Sequence, residues 1–281
     1  MKIIKFQIPY TVNSNLISII ISLTLFILLT SCEDVINLNL KNASPQMVIQ
    51  GNISNLTDSV VILLNKTTDY FNPSPNTAVT SAQVSISDNA GNIYPLTEIA
   101  SGVYYNGHIA GTSGTKYTLK VDDGETVFTS SSQMPDLVKI DSMSVENTAD
   151  FRNENAIDCF IHDPAGVPNY YMAKVIKNGV LLKPDRITVT SDKFFDGKSR
   201  QFVLDAGRYG LDRFLPNDTL TVQLFNIDKP TYDYFNTLRD VINNDGLFSS
   251  STPANPTGNI SNGALGYFAA WSVSEKTIVV P

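Results

Sequence analysis

The chain of 281 residues has few of the side chains that most often carry catalysis and metal binding, with only two histidines and two cysteines. The histidines, His108 and His162, are too far apart in the chain to form a short metal-binding motif. The sequence contains neither a G-x-S-x-G nucleophile elbow nor a glycine-rich phosphate loop. These absences argue against an enzyme, and we expect no catalytic residues, no cofactor and no metal site.

The second scarcity is that of positive charge, with 20 basic against 27 acidic side chains and a net charge of −7. If the chain is cleaved before Cys32, as the N-terminal pattern described below predicts, Lys2 and Lys5 are removed and the mature net charge is −9. This excess of negative charge argues against nucleic acid or an anionic membrane surface as a partner. Beyond the N-terminus, no apolar run approaches the length of a membrane span.

The N-terminus has the three parts of a secretory signal. Lys2 and Lys5 precede an apolar core at 16–29, and residues 29–32 read Leu-Thr-Ser-Cys. An uncleaved anchor helix is the alternative, but about 14 apolar residues are short for a span, which needs roughly 20. The pattern matches a lipobox, so we expect a signal peptide at 1–31, lipidation of Cys32 and a polar tether at 32–45. Cys159 then has no partner for an intramolecular disulfide, and a packed, inert thiol is favoured over a nucleophile.

Strand patterns dominate the rest of the chain. Residues 82–87 and 117–122 alternate apolar with polar side chains, and turn sequences such as Asp-Asp-Gly at 122–124 follow them. The spacing predicts an all-β fold of two β-sandwich domains, the first a small one at 46–135 and the second a larger one at 136–281. The dipeptide Asn178-Gly179 predicts a hairpin in the second domain, and a bulge is expected at Ser142.

One inserted helix is expected near residues 230–244. Pro230 suits a first helical turn, Tyr234, Leu238 and Val241 share an apolar stripe, and Gly246 can end the helix. The segment 249–262 is rich in Ser, Pro, Asn and Gly, which indicates a long loop before a closing strand at 263–271.

Tyr267 and Trp271 are the candidate residues for contact with a partner or ligand. Strict alternation in the closing strand places Phe268 and Ala270 on one face and Tyr267, Ala269 and Trp271 on the other. Phe268 is then a core residue, and the opposite face is expected to be partly exposed. The alternative is that both faces are buried and the strand simply closes the second sandwich.

Other polar clusters favour ordinary turns over sites. His162 and Asp163 are a pairing that can seed a metal or acid–base site, but the following Pro164 is typical of a turn after a strand. Acidic groups at 88–92 and 122–125 lack the spacing of a calcium-binding EF-hand loop, so solvated turns are favoured there too.

Several segments, taken in order, resemble a lipoprotein family catalogued as domain of unknown function 4249. These are Cys32-Glu33-Asp34, Val48-Ile49-Gln50-Gly51-Asn52-Ile53, Gly102-Val103-Tyr104, Gly114-Thr115-Lys116-Tyr117-Thr118-Leu119, Asn169-Tyr170-Tyr171, and Asn259-Ile260 followed by residues 263–268. The resemblance covers nearly all of the mature chain. It implies an outer-membrane lipoprotein of Bacteroidetes-type bacteria that works beside a TonB-dependent transporter. The family has no established catalytic residues, so none is carried over.

The resemblance also implies finer features. The first domain resembles transthyretin-like or carboxypeptidase-regulatory modules, and Glu33 and Asp34 resemble a surface-export signal, which would place the protein on the cell surface. Ser59, Ser142 and Thr219 each follow an aspartate and precede an aliphatic residue, as in O-glycosylation sites of such bacteria. The leading hypothesis is a non-enzymatic accessory that captures a ligand or caps the transporter barrel. A surface adhesin or glycan-binding module is the alternative, and an enzyme is the third possibility.

Overall fold

The computed structural model describes residues 44–68, 77–147, 155–182, 187–205, 214–243 and 255–281. The predictions for the signal peptide, for Cys32 and for Glu33 and Asp34 lie outside these residues. Among the residues described, no helix is both long enough and apolar enough to cross a membrane.

The regular elements of the described chain are strands with a single helix, which confirms the predicted all-β class. The strands of the first half are β1 (Met47–Ser54), β2 (Val60–Lys66), β3 (Thr77–Ala78), β4 (Gln83–Asp88), β5 (Ile93–Ala100), β6 (Val103–Asn106), β7 (Lys116–Asp122) and β8 (Val127–Gln133). Those of the second half are β9 (Ile140–Asn147), β10 (Asn155–His162), β11 (Tyr170–Lys177), β12 (Val180–Leu181), β13 (Thr188–Ser191), β14 (Ser199–Asp205), β15 (Thr219–Ile227) and β16 (Leu265–Val279). Helix α1 (Lys229–Asn243), the one helix in the described part of the chain, lies where the sequence predicts it.

One large sheet connects the two halves of the chain. Its strand order is β12-β11-β15-β16-β1-β2-β6-β5-β4-β7-β8, and β9, β10 and β14 form a separate sheet. The connection is made by β16, which pairs in parallel with β1 through residues 265–271 and antiparallel with β15 through residues 272–279. The sheet therefore continues from the first predicted domain into the second, and the boundary placed after residue 135 stays a prediction.

Three apolar clusters form the core of the described residues. The first fills the N-terminal half and includes Ile49, Ile62 and Leu119. The second lies between the small sheet and β11 and β15, and it includes Ile157 and Leu224. The third, which includes Trp271, lies on the other face of the large sheet, where side chains of α1 pack against it.

Local turn and strand signals are accurate in several places. Asn178 and Gly179 both have positive φ, 50° and 82°, and they connect β11 to β12 as the predicted hairpin. Such values are those of the tight turn that matches the twist of two paired strands.

In the β9–β10 pair, Phe160 is opposite Ser142 while Ile161 is opposite Ile140, so the extra residue is Asp141. The predicted bulge at Ser142 is thus displaced by one residue.

Each half of β16 pairs with another strand along one edge, and asparagine side chains form hydrogen bonds with backbone groups along the other edge. Asn259 accepts a hydrogen bond from the Phe268 amide at 3.0 Å and donates one to the Phe268 carbonyl at 2.7 Å, so its side chain replaces a neighbouring strand. Asn55 bonds both main-chain groups of Val273 in the same way. These contacts satisfy backbone groups that would otherwise be buried without partners.

Candidate functional site

The expected partial exposure of Trp271 is wrong. Its ring is only 3% exposed and packs edge-on against Phe225, with ring centroids 5.2 Å apart. The ammonium group of Lys174 lies 5.6 Å from the centre of the Trp271 ring, a cation–π arrangement. The reason is that α1 packs against the face that the sequence pattern left open.

Tyr267 lies on the same face and is half-buried between two aromatic rings of α1. Its ring centroid is 4.8 Å from that of Tyr234 and 5.0 Å from that of Phe235. Burial raises the pKa of the Tyr267 hydroxyl to about 12. A partner-contact role for Tyr267 and Trp271 stays a prediction, and their packing disfavours it.

The alternation predicted for this strand is confirmed. Phe268 and Ala270 belong to the first core cluster, whereas Ala269 and Trp271 belong to the third. Both faces of the strand are thus buried, as the alternative interpretation expected. On β6, by contrast, only one of two adjacent tyrosines is buried, since Tyr104 is buried and Tyr105 is exposed.

The structure brings together three carboxylates that are far apart in the sequence. Asp163 follows β10, and Asp192 and Asp196 lie in the turn between β13 and β14. One oxygen of each lies within 4.8 Å of the other two. Asp163 and Asp192 are buried, whereas Asp196 is exposed. We define these three residues as the acidic cluster.

Hydrogen bonds show how the acidic cluster holds two loops together. Asp163 accepts hydrogen bonds from the Tyr171 hydroxyl and, at 3.0 Å, from the Gly197 amide. Asp192 accepts one from the Asn169 amide at 2.7 Å. Asp196 accepts one from the Gly166 amide, also at 2.7 Å.

The electrostatics of the cluster follow from burial and from repulsion between like charges. Burial, together with the charges of Asp163 and Asp196, raises the pKa of Asp192 above its ordinary value. Burial and the neighbouring Asp163 carboxylate also raise the pKa of Tyr171. Both shifts disfavour negative charge at this point.

An open cavity of about 510 Å³ lies beside the cluster and is lined by Tyr170, Ser191, Asp192 and Asp196, among other residues. Carboxylate oxygens are the ligands that calcium prefers, so the cluster has the donor chemistry of a hard-cation site. The hydrogen bonds to all three carboxylates equally suit a purely structural role. Sequence reasoning missed this arrangement because no local spacing relates residue 163 to residues 192 and 196.

Neither His162 nor Cys159 forms a catalytic pair with a carboxylate of the acidic cluster. His162 is exposed, and its Nδ1 atom lies 3.3 Å from Ser199 Oγ, while Asp163 bonds Tyr171 and Gly197. Cys159 is fully buried, and burial raises the pKa of its thiol to about 12, so it stays protonated. The packed-thiol interpretation is confirmed.

The acidic turns of the first half form local hydrogen bonds. Asp88 accepts bonds from the main-chain amides of Ala90 and Asn92, both at 2.9 Å, and its hydrogen bonds, that of the Asn92 side chain foremost, lower its pKa. Asp123 accepts from the amides of Glu125 and Thr126. These carboxylates close turns, as the sequence analysis expected.

The three proposed O-glycosylation residues occupy different positions. Ser142 and Thr219 are exposed, at β9 and at the start of β15, whereas Ser59 is half-buried before β2. Modification of all three stays a prediction, and Ser142 and Thr219 are the more accessible.

Comparison with known sequences and structures gives one family assignment. The profile of the family described as "Domain of unknown function (DUF4249)" matches residues 33–277. No curated protein matches the chain. A solved structure of the adhesin InvE from Yersinia pseudotuberculosis is 18% identical, with 64% of this chain and 55% of that chain covered and a TM-score of 0.21. The chain thus spans about half the length of that structure.

Proposed function

This chain belongs to the DUF4249 family, and we propose that it is an outer-membrane lipoprotein that assists a TonB-dependent transporter without catalysing a reaction. The observation that carries the proposal is the Leu-Thr-Ser-Cys sequence at residues 29–32, directly after an apolar segment. A lipidated cysteine carries more than one acyl chain, which makes membrane anchoring stable.

The length of the tether supports a role at the membrane. Fourteen residues lie between Cys32 and the first residue of β1, Met47. Even fully extended, such a chain spans at most about 50 Å. The folded body would therefore stay within reach of a barrel embedded in the same membrane.

The chemistry of the described residues supports a binding role rather than catalysis. The buried thiol of Cys159 is protonated, and exposed His162 is not joined to a carboxylate in the manner of a general base. The cavity beside the acidic cluster offers a place where a small ligand could be captured.

The proposal is tested by purifying the full-length protein with its binding partners. The full chain, carrying an affinity tag at its C-terminus, is purified from detergent-solubilised outer membranes, and co-purifying proteins are identified by mass spectrometry. We expect a TonB-dependent transporter in the wild-type sample and its loss with Cys32→Ala. If the wild-type protein is found in the outer membrane without any transporter, the accessory role is wrong.

Membrane attachment is tested separately by metabolic labelling with an acyl probe. Label is expected on the wild-type chain and not on Cys32→Ala, and label that persists in the variant would contradict lipidation at this residue.

Surface display is tested with Glu33→Ala/Asp34→Ala, which should lose sensitivity to protease added to intact cells.

A glycan-binding function is the second candidate, and one observation favours it. Tyr170, Ser191, Asp192 and Asp196 are among the residues that line the cavity. Sugars stack on aromatic rings and donate hydrogen bonds to carboxylates, so this lining suits them. Binding to a glycan array should be lost with Tyr170→Ala and kept with Tyr105→Ala, which removes an exposed tyrosine elsewhere. Equal binding by both variants would exclude this cavity.

A further inference from the structure

Two polar side chains are buried side by side on neighbouring strands of the large sheet. Asn226 of β15 is directly opposite Ser272 of β16 in the antiparallel register. Asn226 is 1% exposed and Ser272 is 0% exposed. Within the described part of the chain, Asn226 Nδ2, Asn226 Oδ1 and Ser272 Oγ have no hydrogen-bond partner.

The position of this pair is the point where β16 changes neighbours, since Trp271 pairs with β1 and Ser272 pairs with β15. Phe225 and Trp271, the preceding residues on the two strands, belong to the third cluster beneath α1. Because side chains alternate across a strand, Asn226 and Ser272 face the opposite side of the sheet. On that side, Ala270 belongs to the first core cluster and Leu224 to the second.

The two side chains cannot satisfy one another completely. An asparagine amide offers two donor hydrogens and an acceptor oxygen, whereas a serine hydroxyl offers one donor hydrogen and an acceptor oxygen. A direct hydrogen bond between them would therefore leave at least one end of the amide without a partner. Buried polar groups of native proteins are almost always bonded, because water that is lost and not replaced is costly.

We propose that Asn226 and Ser272 form an internal binding site for water at the point where β16 passes from β1 to β15. Water is the ligand that fits, because it donates and accepts hydrogen bonds and therefore complements both ends of the amide and the hydroxyl. The bound water links the amide of β15 to the hydroxyl of β16 where the apolar contacts of the first and second clusters meet.

The direct test is nuclear magnetic resonance of the mature, lipidated protein in detergent micelles. We expect cross-peaks between water and the Asn226 side-chain amide with the sign of a long-lived, bound water. The Asn226→Asp variant identifies this amide signal by its disappearance. If the wild-type amide shows no transfer from water, or shows transfer only by exchange with bulk solvent, the proposal is wrong.

A second test uses the sign of the change in melting temperature. Asn226→Leu keeps the branched shape but removes the polar atoms, so it leaves the water with fewer partners. We expect a lower melting temperature, and a smaller decrease when Ser272→Ala is already present, because both residues hold the same water. Ser144→Ala, on an exposed strand position of β9, is the control and should leave the melting temperature unchanged.

A higher melting temperature for Asn226→Leu than for wild type would contradict the proposal. If Asn226 and Ser272 are buried without bound water, Asn226→Leu removes an unsatisfied amide and raises the melting temperature. Additive effects of Asn226→Leu and Ser272→Ala also contradict a shared water. The measurement on the wild-type protein decides the question even if Asn226→Leu does not fold.

Discussion

The hydroxyl of Ser132 donates a hydrogen bond to Asp228 Oδ2 at 2.7 Å, although the two residues are 96 positions apart in the chain. The same hydroxyl accepts a hydrogen bond from the Ala270 amide at 2.8 Å. Asp228 Oδ1 in turn accepts from the Thr231 amide at 3.1 Å and so caps the first turn of α1. One serine therefore connects β8, β16 and the start of the helix that covers Trp271.

Ser132→Ala should destabilise the protein by about 1–3 kcal/mol, because it leaves the buried Ala270 amide and one Asp228 oxygen with fewer partners. Chemical denaturation measures the change. Ser131→Ala is the matched control, since the Ser131 side chain bonds the nearby Thr118 hydroxyl and is less buried. Equal losses in the two variants would contradict a special role for Ser132.

Gly266→Ala should prevent folding or lower stability by several kcal/mol. An added Cβ would lie 2.0 Å from the Ile49 carbonyl oxygen on the paired strand β1, and Gly266 also has a φ of +96°. Gly263→Ala provides the comparison, because its φ is +71° but nothing lies within 4 Å of the added atom. That variant should lose only about 1 kcal/mol, the cost of the backbone conformation alone. Similar losses would show that the close approach of β1 is unimportant.

Trp271→Ala should destabilise the protein by about 3–5 kcal/mol, and Phe268→Ala should have a similar effect, because both rings are packed in the core. Tyr105→Ala, which removes an exposed ring, should change stability little. Thermal unfolding of the three variants measures these effects. A Trp271→Ala protein that melts like wild type but no longer binds a transporter would restore the contact-patch hypothesis.

Asp192→Asn should raise the melting temperature at neutral pH. The raised pKa of Asp192 means that the folded state holds this proton more tightly than the unfolded state does. Stability is therefore lost as the pH rises from the ordinary aspartate range through the raised pKa. An asparagine still offers an oxygen to the Asn169 amide.

The stabilisation should shrink as the pH falls and disappear well below the ordinary aspartate pKa of about 4, where the aspartate is protonated in both states. Melting curves of wild type and variant across this range test the argument. The opposite result would be a variant that melts below wild type at neutral pH. If a chelator then removed this difference in melting temperature, the acidic cluster would be shown to bind a cation.

Local patterns in the sequence determined the features that depend on neighbouring residues. The alternation around Phe268, the hairpin at Asn178 and Gly179, and the position of α1 all follow from side-chain period and turn chemistry. Family membership also follows from the order of short segments along the chain. These signals are local because strand and helix periods repeat over two to four residues.

Only the tertiary structure decided which element packs against each face of a strand. The parallel pairing of β1 with β16 joins residues more than 200 positions apart, and α1 buries the Trp271 face that alternation alone leaves open. The acidic cluster and the Asn226–Ser272 pair are likewise formed by contacts between distant segments. A local period specifies that a strand has two faces, but the free energy gained by covering a face depends on non-local packing.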